Sequence, residues 1–256
     1  MWAVFTYRCF EMSNYKLIVE YEGTNYHGFQ IQKGGIITIQ GCLEEAIAQI
    51  AKKQVKIIGG GRTDAGVHAL SQVVNFRSNL TVPVEKLSTA LNSLLPKDIR
   101  VKTASLVHDD FHSRYDAATK TYLYLIEYGL VESVFKRNYC WWLKKLPVWD
   151  NMLTAGKYLE GTQDFAAFTA SGSSVKSTVR TISSFDLEVL GNAAKLRFTA
   201  DGFLYYMVRN MVGTLVEIGL GRRDVDSIKR ILKSKDRTQA GVTAPARGLF
   251  LEKIQY

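Results

Sequence analysis

The sequence predicts an α+β protein assembled from two similarly patterned halves, and three observations carry that prediction. Short segments with apolar residues at every second position alternate with longer ones whose apolar residues recur every three to four. The order of these segments up to about residue 106 returns after residue 118. A chain of 256 residues, 46% of them hydrophobic, also has enough apolar surface for one large core or two modest ones.

The first half opens at Tyr15–Tyr21, where Leu17, Val19 and Tyr21 alternate with Lys16, Ile18 and Glu20, as in a strand. From Thr38 to Lys53, Ile39, Cys42, Leu43, Ala46, Ile47 and Ile50 form one stripe with Glu44, Glu45 and Gln49 opposite, which predicts an amphipathic helix. Val55–Ile58 and Gln72–Phe76 read as two strands flanking a glycine-rich loop. Pro83 opens a second helix and Pro96 closes it, with Val84, Leu87, Leu91 and Leu94 on its apolar face. Ile99–Leu106 is the last strand of this half.

The second half runs in the same order. Thr121–Tyr128 is strand-like and Val148–Glu160 helical; Phe185–Leu190 and Ala194–Ala200 make a hairpin around Gly191-Asn192. An apolar helix over Leu204–Gly219, another over Asp226–Lys233 and a strand over Gly248–Ile254 complete it. Each half therefore reads roughly as β-α-β-β-α-β, the order of ferredoxin-like units. Two such halves place two antiparallel sheets side by side: an N-terminal α+β subdomain over residues 13–110 that carries the glycine loop, and a C-terminal one over 111–256. No residue-level repeat links them; the duplication is one of pattern.

The chain carries 33 basic and 24 acidic side chains, a formal net charge of +9. That surplus favours a polyanionic partner, because each neutralised phosphate releases condensed counterions. The bases are dispersed, with Lys144-Lys145 and Arg222-Arg223 among the longest runs, which predicts a broadly positive folded surface rather than a basic tail. No apolar run reaches membrane-spanning length and residues 1–10 do not read as a secretory signal, so a cytoplasmic protein is expected. Cys9, Cys42 and Cys140 are odd in number and widely spaced, which suggests neither disulfides nor zinc.

The most unusual stretch is Gly59-Gly60-Gly61-Arg62-Thr63-Asp64-Ala65-Gly66-Val67-His68. Consecutive glycines admit backbone angles that other residues avoid and let another chain segment approach closely. Asp64 stands two residues from Arg62, and a guanidinium beside a carboxylate holds it ionised, as a nucleophile or general base requires. From residue types alone three readings stay open. The loop is a tight turn capped by Asp64, or a phosphate-binding loop, although the Lys-Ser/Thr ending of a nucleotide-binding P-loop is missing, or a metal site built on Asp64 and His68. The third is weak in a chain whose only histidines are His27, His68, His108 and His112.

Gly61-Arg-Thr-Asp-Ala-Gly-Val-His68 resembles the active-site motif of the tRNA pseudouridine synthase A family. Tyr21-Glu-Gly-Thr-Asn-Tyr-His-Gly-Phe-Gln30, Asp109-Asp-Phe-His-Ser-Arg114, Phe203-Leu-Tyr-Tyr-Met-Val-Arg-Asn-Met-Val-Gly213, Asp236-Arg237 and Thr243-Ala-Pro-Ala-Arg-Gly-Leu249 resemble its other motifs, in family order from residue 15 to the end. Tyr122 falls at the spacing of the family's active-site tyrosine. Lys120-Thr-Tyr-Leu123 departs from the family, which often has several bases there. Residues 1–12 stand as an N-terminal extension before the family's usual start, with Met12 the expected initiator.

The resemblance implies the pseudouridine synthase fold and an isomerase without metal or organic cofactor. It implies breakage of the uridine C–N glycosidic bond, turning of the base, rejoining through C5 and loss of the C5 proton. Asp64 is then the catalytic carboxylate, Tyr122 packs on the target base and helps remove the C5 proton, and Arg209 pairs with Asp64. Arg62, Thr63, His112, Arg114 and Lys120 become substrate-binding candidates, with Lys176 and Arg180 as further phosphate contacts. The implied substrate is tRNA, at positions 38, 39 and 40 of the anticodon stem-loop, held by a homodimer that also reaches the tRNA body. The alternatives are a non-catalytic RNA-binding protein on the same fold, and a phosphate-loop or metal-dependent hydrolase.

Overall fold

A computed structural model describes residues 12–170 and 175–256. The expected N-terminal extension lies, but for Met12, outside the described residues. The elements are β1 (Ser13–Tyr21), α1 (Ile39–Ala51), β2 (Ile58–Gly59), β3 (His68–Ser78), α2 (Val84–Asn92), β4 (Ile99–Val107), β5 (Thr119–Tyr128), β6 (Trp141–Leu143), α3 (Trp149–Lys157), β7 (Gly161–Asp164), β8 (Val179–Leu190), β9 (Ala193–Ala200), α4 (Met207–Gly219), α5 (Ser227–Ser234) and β10 (Leu249–Gln255).

The α+β class holds, and the two expected sheets are one. The strands run β4-β1-β3-β10-β5-β9-β8-β7, with β2 on β3 and β6 on β5. The first half contributes the order β4-β1-β3-β2 and the second β10-β5-β9-β8, so each reproduces the same pairing of fourth, first, third and second strands. They fuse where β10 lies parallel to β3, with Phe250 opposite His68 and Leu251 opposite Ala69; all other pairs but β5–β6 are antiparallel. One hydrophobic cluster of buried side chains runs through both halves.

That seam explains where the shortest strand ends. β2 pairs with Asn75 and Val74 of β3, while β10 takes the same edge farther along, at His68 and Ala69. The chain following β2 cannot continue along an edge that is already occupied, and it leaves the sheet as the glycine-rich loop. Of the expected strand over Val55–Ile58 only Ile58 pairs, and Gly59 joins it. Val55 and Ile57 are still buried, but the Ile57 amide donates to Glu44 Oε1 of α1 (3.0 Å) instead of to a strand.

Elsewhere the caps set the bounds. Thr38 Oγ1 accepts from Gly41 N (3.2 Å) and starts α1. α2 stops at Asn92, short of Pro96, because the Asn92 amide exchanges two hydrogen bonds with Val101 of β4 (2.8 and 2.9 Å). Leu94, expected on the apolar face, is therefore exposed, and Leu95 is buried in its stead. β6 and β7, of three and four residues, are too short for periodicity to reveal.

Candidate active site

The loop after β2 is held from below by one side chain. Gln72, fully buried in β3, accepts from Gly61 N (3.0 Å) and donates to Gly61 O (2.6 Å), while Gly60 N donates to Val73 O (2.7 Å). A Cβ on Gly59 would lie 2.3 Å from Phe29 Cε1, and one on Gly60 would lie 3.0 Å from both Ser113 O and Tyr256 Oη. The triple glycine thus serves close approach. Left-handed backbone occurs instead at Gly28 (φ 91°) and Gly66 (φ 77°).

Thr63 faces inward: its hydroxyl meets Tyr21 Oη at 2.7 Å and its carbonyl accepts from Phe29 N (3.0 Å). It anchors the loop. His68 is buried, with Nδ1 accepting from Gly23 N (3.0 Å) and Nε2 facing the carbonyls of Asn138 (2.9 Å) and Arg247 (3.1 Å). Burial lowers its pKa, although these carbonyls oppose the shift. It ties three segments together in the manner of a packed histidine. Among the described residues no three His, Cys, Asp or Glu groups stand together as a metal site would need.

Between these anchors Asp64 projects toward α4. The guanidinium it meets is that of Arg209, with Nη1 at 3.4 Å from Oδ2 and both side chains mostly buried. Arg62, expected to hold Asp64 from two residues away, is exposed. Arg209 is itself fixed: Nε donates to Ala244 O (2.8 Å), and its guanidinium lies 4.5 Å from the Tyr206 ring centroid. The Ala244 carbonyl is placed by its neighbours, since Arg237 Nη2 donates to both Thr243 Oγ1 and Asn210 Oδ1 (3.0 Å each). Arg237 and Thr243 thus brace the segment whose Ala244 carbonyl receives Arg209.

Burial raises the Asp64 pKa above the ordinary carboxylate value, and Arg209 acts against that rise without cancelling it. A carboxylate in this state is less solvated and more basic than a surface one. Tyr122, buried in β5, turns its hydroxyl toward the loop: a Cβ on Gly61 would lie 3.8 Å from it. The edge of Phe203 meets its ring at 5.1 Å and 85°. Burial, then the nearby Tyr21 and Asp64, push the phenol pKa up, so it is protonated at neutral pH.

Lys120 sits two residues before Tyr122 on the same face of β5. Burial first, then the positive charges of Arg114 and Arg180, bring its pKa down to about 8. These three residues form a basic group two positions along β5 from Tyr122. His112 shapes the preceding turn: its Nδ1 accepts from the amides of Arg114 and Tyr115 (3.2 Å each), and its ring stacks on Tyr115 at 4.2 Å. Lys176 is exposed in the chain leading to β8. Two parts of the site were not anticipated. Gln72 gave one weak signal, a polar side chain beside the apolar Val73 and Val74 of the strand. Tyr205 and Tyr206 gave none beyond being adjacent aromatics.

A family model described as "tRNA pseudouridine synthase" matches residues 17–116 and 155–256. The tRNA pseudouridine synthase A of Thermoanaerobacter pseudethanolicus is 49% identical over 245 residues, covering 96% of this chain and 100% of that one. The enzyme of the same name from Acetivibrio thermocellus is 46% identical over 245 residues with the same coverage. Among solved structures, the archaeal box H/ACA sRNP Nop10-Cbf5 complex aligns at a TM-score of 0.35 and 14% identity, over 80% of this chain and 42% of that chain.

Proposed function

Because this chain belongs to the tRNA pseudouridine synthase family, and so is an isomerase that turns uridine of tRNA into pseudouridine, we propose that Asp64 is its catalytic carboxylate and that its targets are positions 38, 39 and 40 of the anticodon stem-loop. The observation that carries the assignment is the Asp64–Arg209 pair, set in a loop that leaves the sheet at the seam. A role limited to RNA binding would not need a carboxylate kept in a burial that opposes its charge.

The target uridine must leave its stack to reach Asp64, at a cost of a few kcal/mol. Asp64 then acts as nucleophile or base while the N1–C1′ bond breaks, and Tyr122 gives the freed uracil a flat surface on which to turn. The C5–C1′ bond forms and the C5 proton leaves. A phenol that is protonated at rest takes up that proton only while passing its own on in the same step, and Asp64 is the carboxylate at hand to receive it. Arg114, Lys120 and Arg180 serve phosphates beside the target, with Arg62 and Lys176 as outer contacts. His112 and Thr63 act by holding the loops that carry them. These contacts read the backbone, which suits an enzyme acting at three successive positions.

The protein acts in the cytoplasm as a homodimer in this reading. No helix among the described residues is long and apolar enough to cross a membrane. Between β5 and β6, Leu130, Val131 and Phe135 are all more than 80% exposed, an apolar surface of the kind a second subunit covers. A monomer by light scattering at micromolar concentration would refute the dimer. The activity is tested by tritium release from C5-labelled uridine in unmodified tRNA, with EDTA present. Release by the wild type and none by Asp64→Asn, which still binds tRNA, is the expected result; equal release by both would remove Asp64 from the mechanism.

A further inference from the structure

Beside the Asp64–Arg209 pair lies an aromatic pair that the chemistry above does not use. The rings of Tyr205 and Tyr206 lie 4.2 Å apart with 30° between their planes. Tyr206 has φ 63°, a left-handed conformation that a bulky residue keeps only where its surroundings over-determine it. They do so here. The Arg209 guanidinium lies over the Tyr206 ring, and the Asn210 amide donates to the Tyr206 carbonyl (2.9 Å). The Tyr205 carbonyl accepts from Ala170 N (3.0 Å) and Thr169 Oγ1 (3.3 Å). The strained turn delivers a result that packing alone would not: Tyr206 backs the pair, and Tyr205 is left 48% exposed. A chain of contacts connects it to the catalytic carboxylate, from the Tyr205 ring to Tyr206, from there to Arg209 and on to Asp64. It also stands two residues from Phe203, whose ring meets that of Tyr122.

We propose that Tyr205 is a stacking platform beside the Asp64–Arg209 pair for the nucleobase adjacent to the extruded uridine. The proposal rests on the isomerase reading given above. When the target leaves the strand, its neighbour loses a stacking face, and an exposed ring stiffened by a second ring and a guanidinium replaces that face at small entropic cost. Stacking tolerates any base, because every base has a π-face, and an enzyme acting at successive positions needs that tolerance. The adjacent Tyr206 hydroxyl, followed by burial and the Asp64 charge, raises the Tyr205 pKa to about 12. The ring therefore presents no negative charge to the RNA backbone.

The test is a titration of an anticodon stem-loop RNA carrying the target uridine, with 2-aminopurine placed on its 5′ or its 3′ side. Wild-type protein and Tyr205→Phe should bind alike and keep the probe on one side quenched. Tyr205→Ala should leave that probe bright and weaken binding about tenfold. Should Tyr205→Ala fail to fold, Tyr205→Leu keeps the bulk without the π-face, and the same loss is expected of it. Unchanged affinity and quenching in the variant without the ring would overturn the proposal, as would a Tyr205→Phe that behaves like Tyr205→Ala. Tritium release by the wild type reports separately on the isomerase reading. Its absence together with quenching that depends on Tyr205 would refute turnover and leave the platform standing.

Discussion

Arg209 Nη1 stands 3.4 Å from Asp64 Oδ2, and the two residues are 145 positions apart in the chain. The same guanidinium is committed to Ala244 O and to the face of Tyr206, so its charge cannot follow Asp64 if the loop moves. The pair is a fixed electrostatic element, and the raised pKa of Asp64 shows that it only partly offsets burial.

Arg209→Ala should therefore remove the one influence holding that pKa down. The acidic limb of the kcat/KM profile is expected to move to higher pH, with a loss of at least about tenfold at pH 7. Stability should fall by about 3 kcal/mol, because a mostly buried carboxylate is left without its partner. Denaturant unfolding and a pH–rate profile check both; an unmoved acidic limb would contradict the electrostatic role.

Asp64 also makes a prediction about stability against pH. Its folded pKa lies above the unfolded value near 3.8, so within that window the native state binds more protons than the unfolded state. Stability is then lost as pH rises through the window, and the loss is complete above the folded pKa. Asp64→Asn lacks this loss. Its Tm relative to wild type should become more favourable from pH 4 to pH 7, and a difference that stays constant by calorimetry would contradict the raised pKa.

Lys120, with its pKa brought down to about 8, should contribute to RNA binding only while protonated. The affinity of the wild type for tRNA is expected to fall as pH rises from 7 to 9. Lys120→Gln should weaken binding at pH 7, flatten that dependence and reduce the slope of log K against log salt by about 1. Filter binding at several salt concentrations measures this.

Gly59→Ala places a methyl group 2.3 Å from a carbon of the buried Phe29 ring. Overpacking of this kind costs about 1–3 kcal/mol, and the displaced loop carries Asp64. A lower Tm with a parallel loss of turnover is expected; a stable variant with full activity would mean that the loop tolerates the shift.

Much of this was legible before folding. The alternation of Tyr15–Tyr21, the stripe from Ile39 to Ile50 and the turn at Gly191-Asn192 specify their elements through side-chain period and local conformation, which neighbouring residues impose on one another. The glycine loop was legible too, because three glycines followed by Arg-Thr-Asp have no ordinary role in a strand or helix. Local signals failed where partners come from a distance. Arg62 is the closest guanidinium to Asp64 along the chain, yet the loop leaves it exposed and α4 delivers Arg209. Thr63, a substrate-binding candidate by resemblance, turns its hydroxyl inward to Tyr21.

The sequence by itself determined the α+β class, most of the strands and helices and the position of the carboxylate, since each depends on residues close together in the chain. Only the tertiary structure decided that the halves share one sheet and that the chain leaves it after Gly59, and it exposes Arg62 while Arg209 meets Asp64 as the family resemblance implied. The reason is the same for the sheet and the exit: β10, at the end of the chain, occupies the edge of β3 that β2 would otherwise have followed, and no local pattern encodes which of two distant segments takes a shared edge.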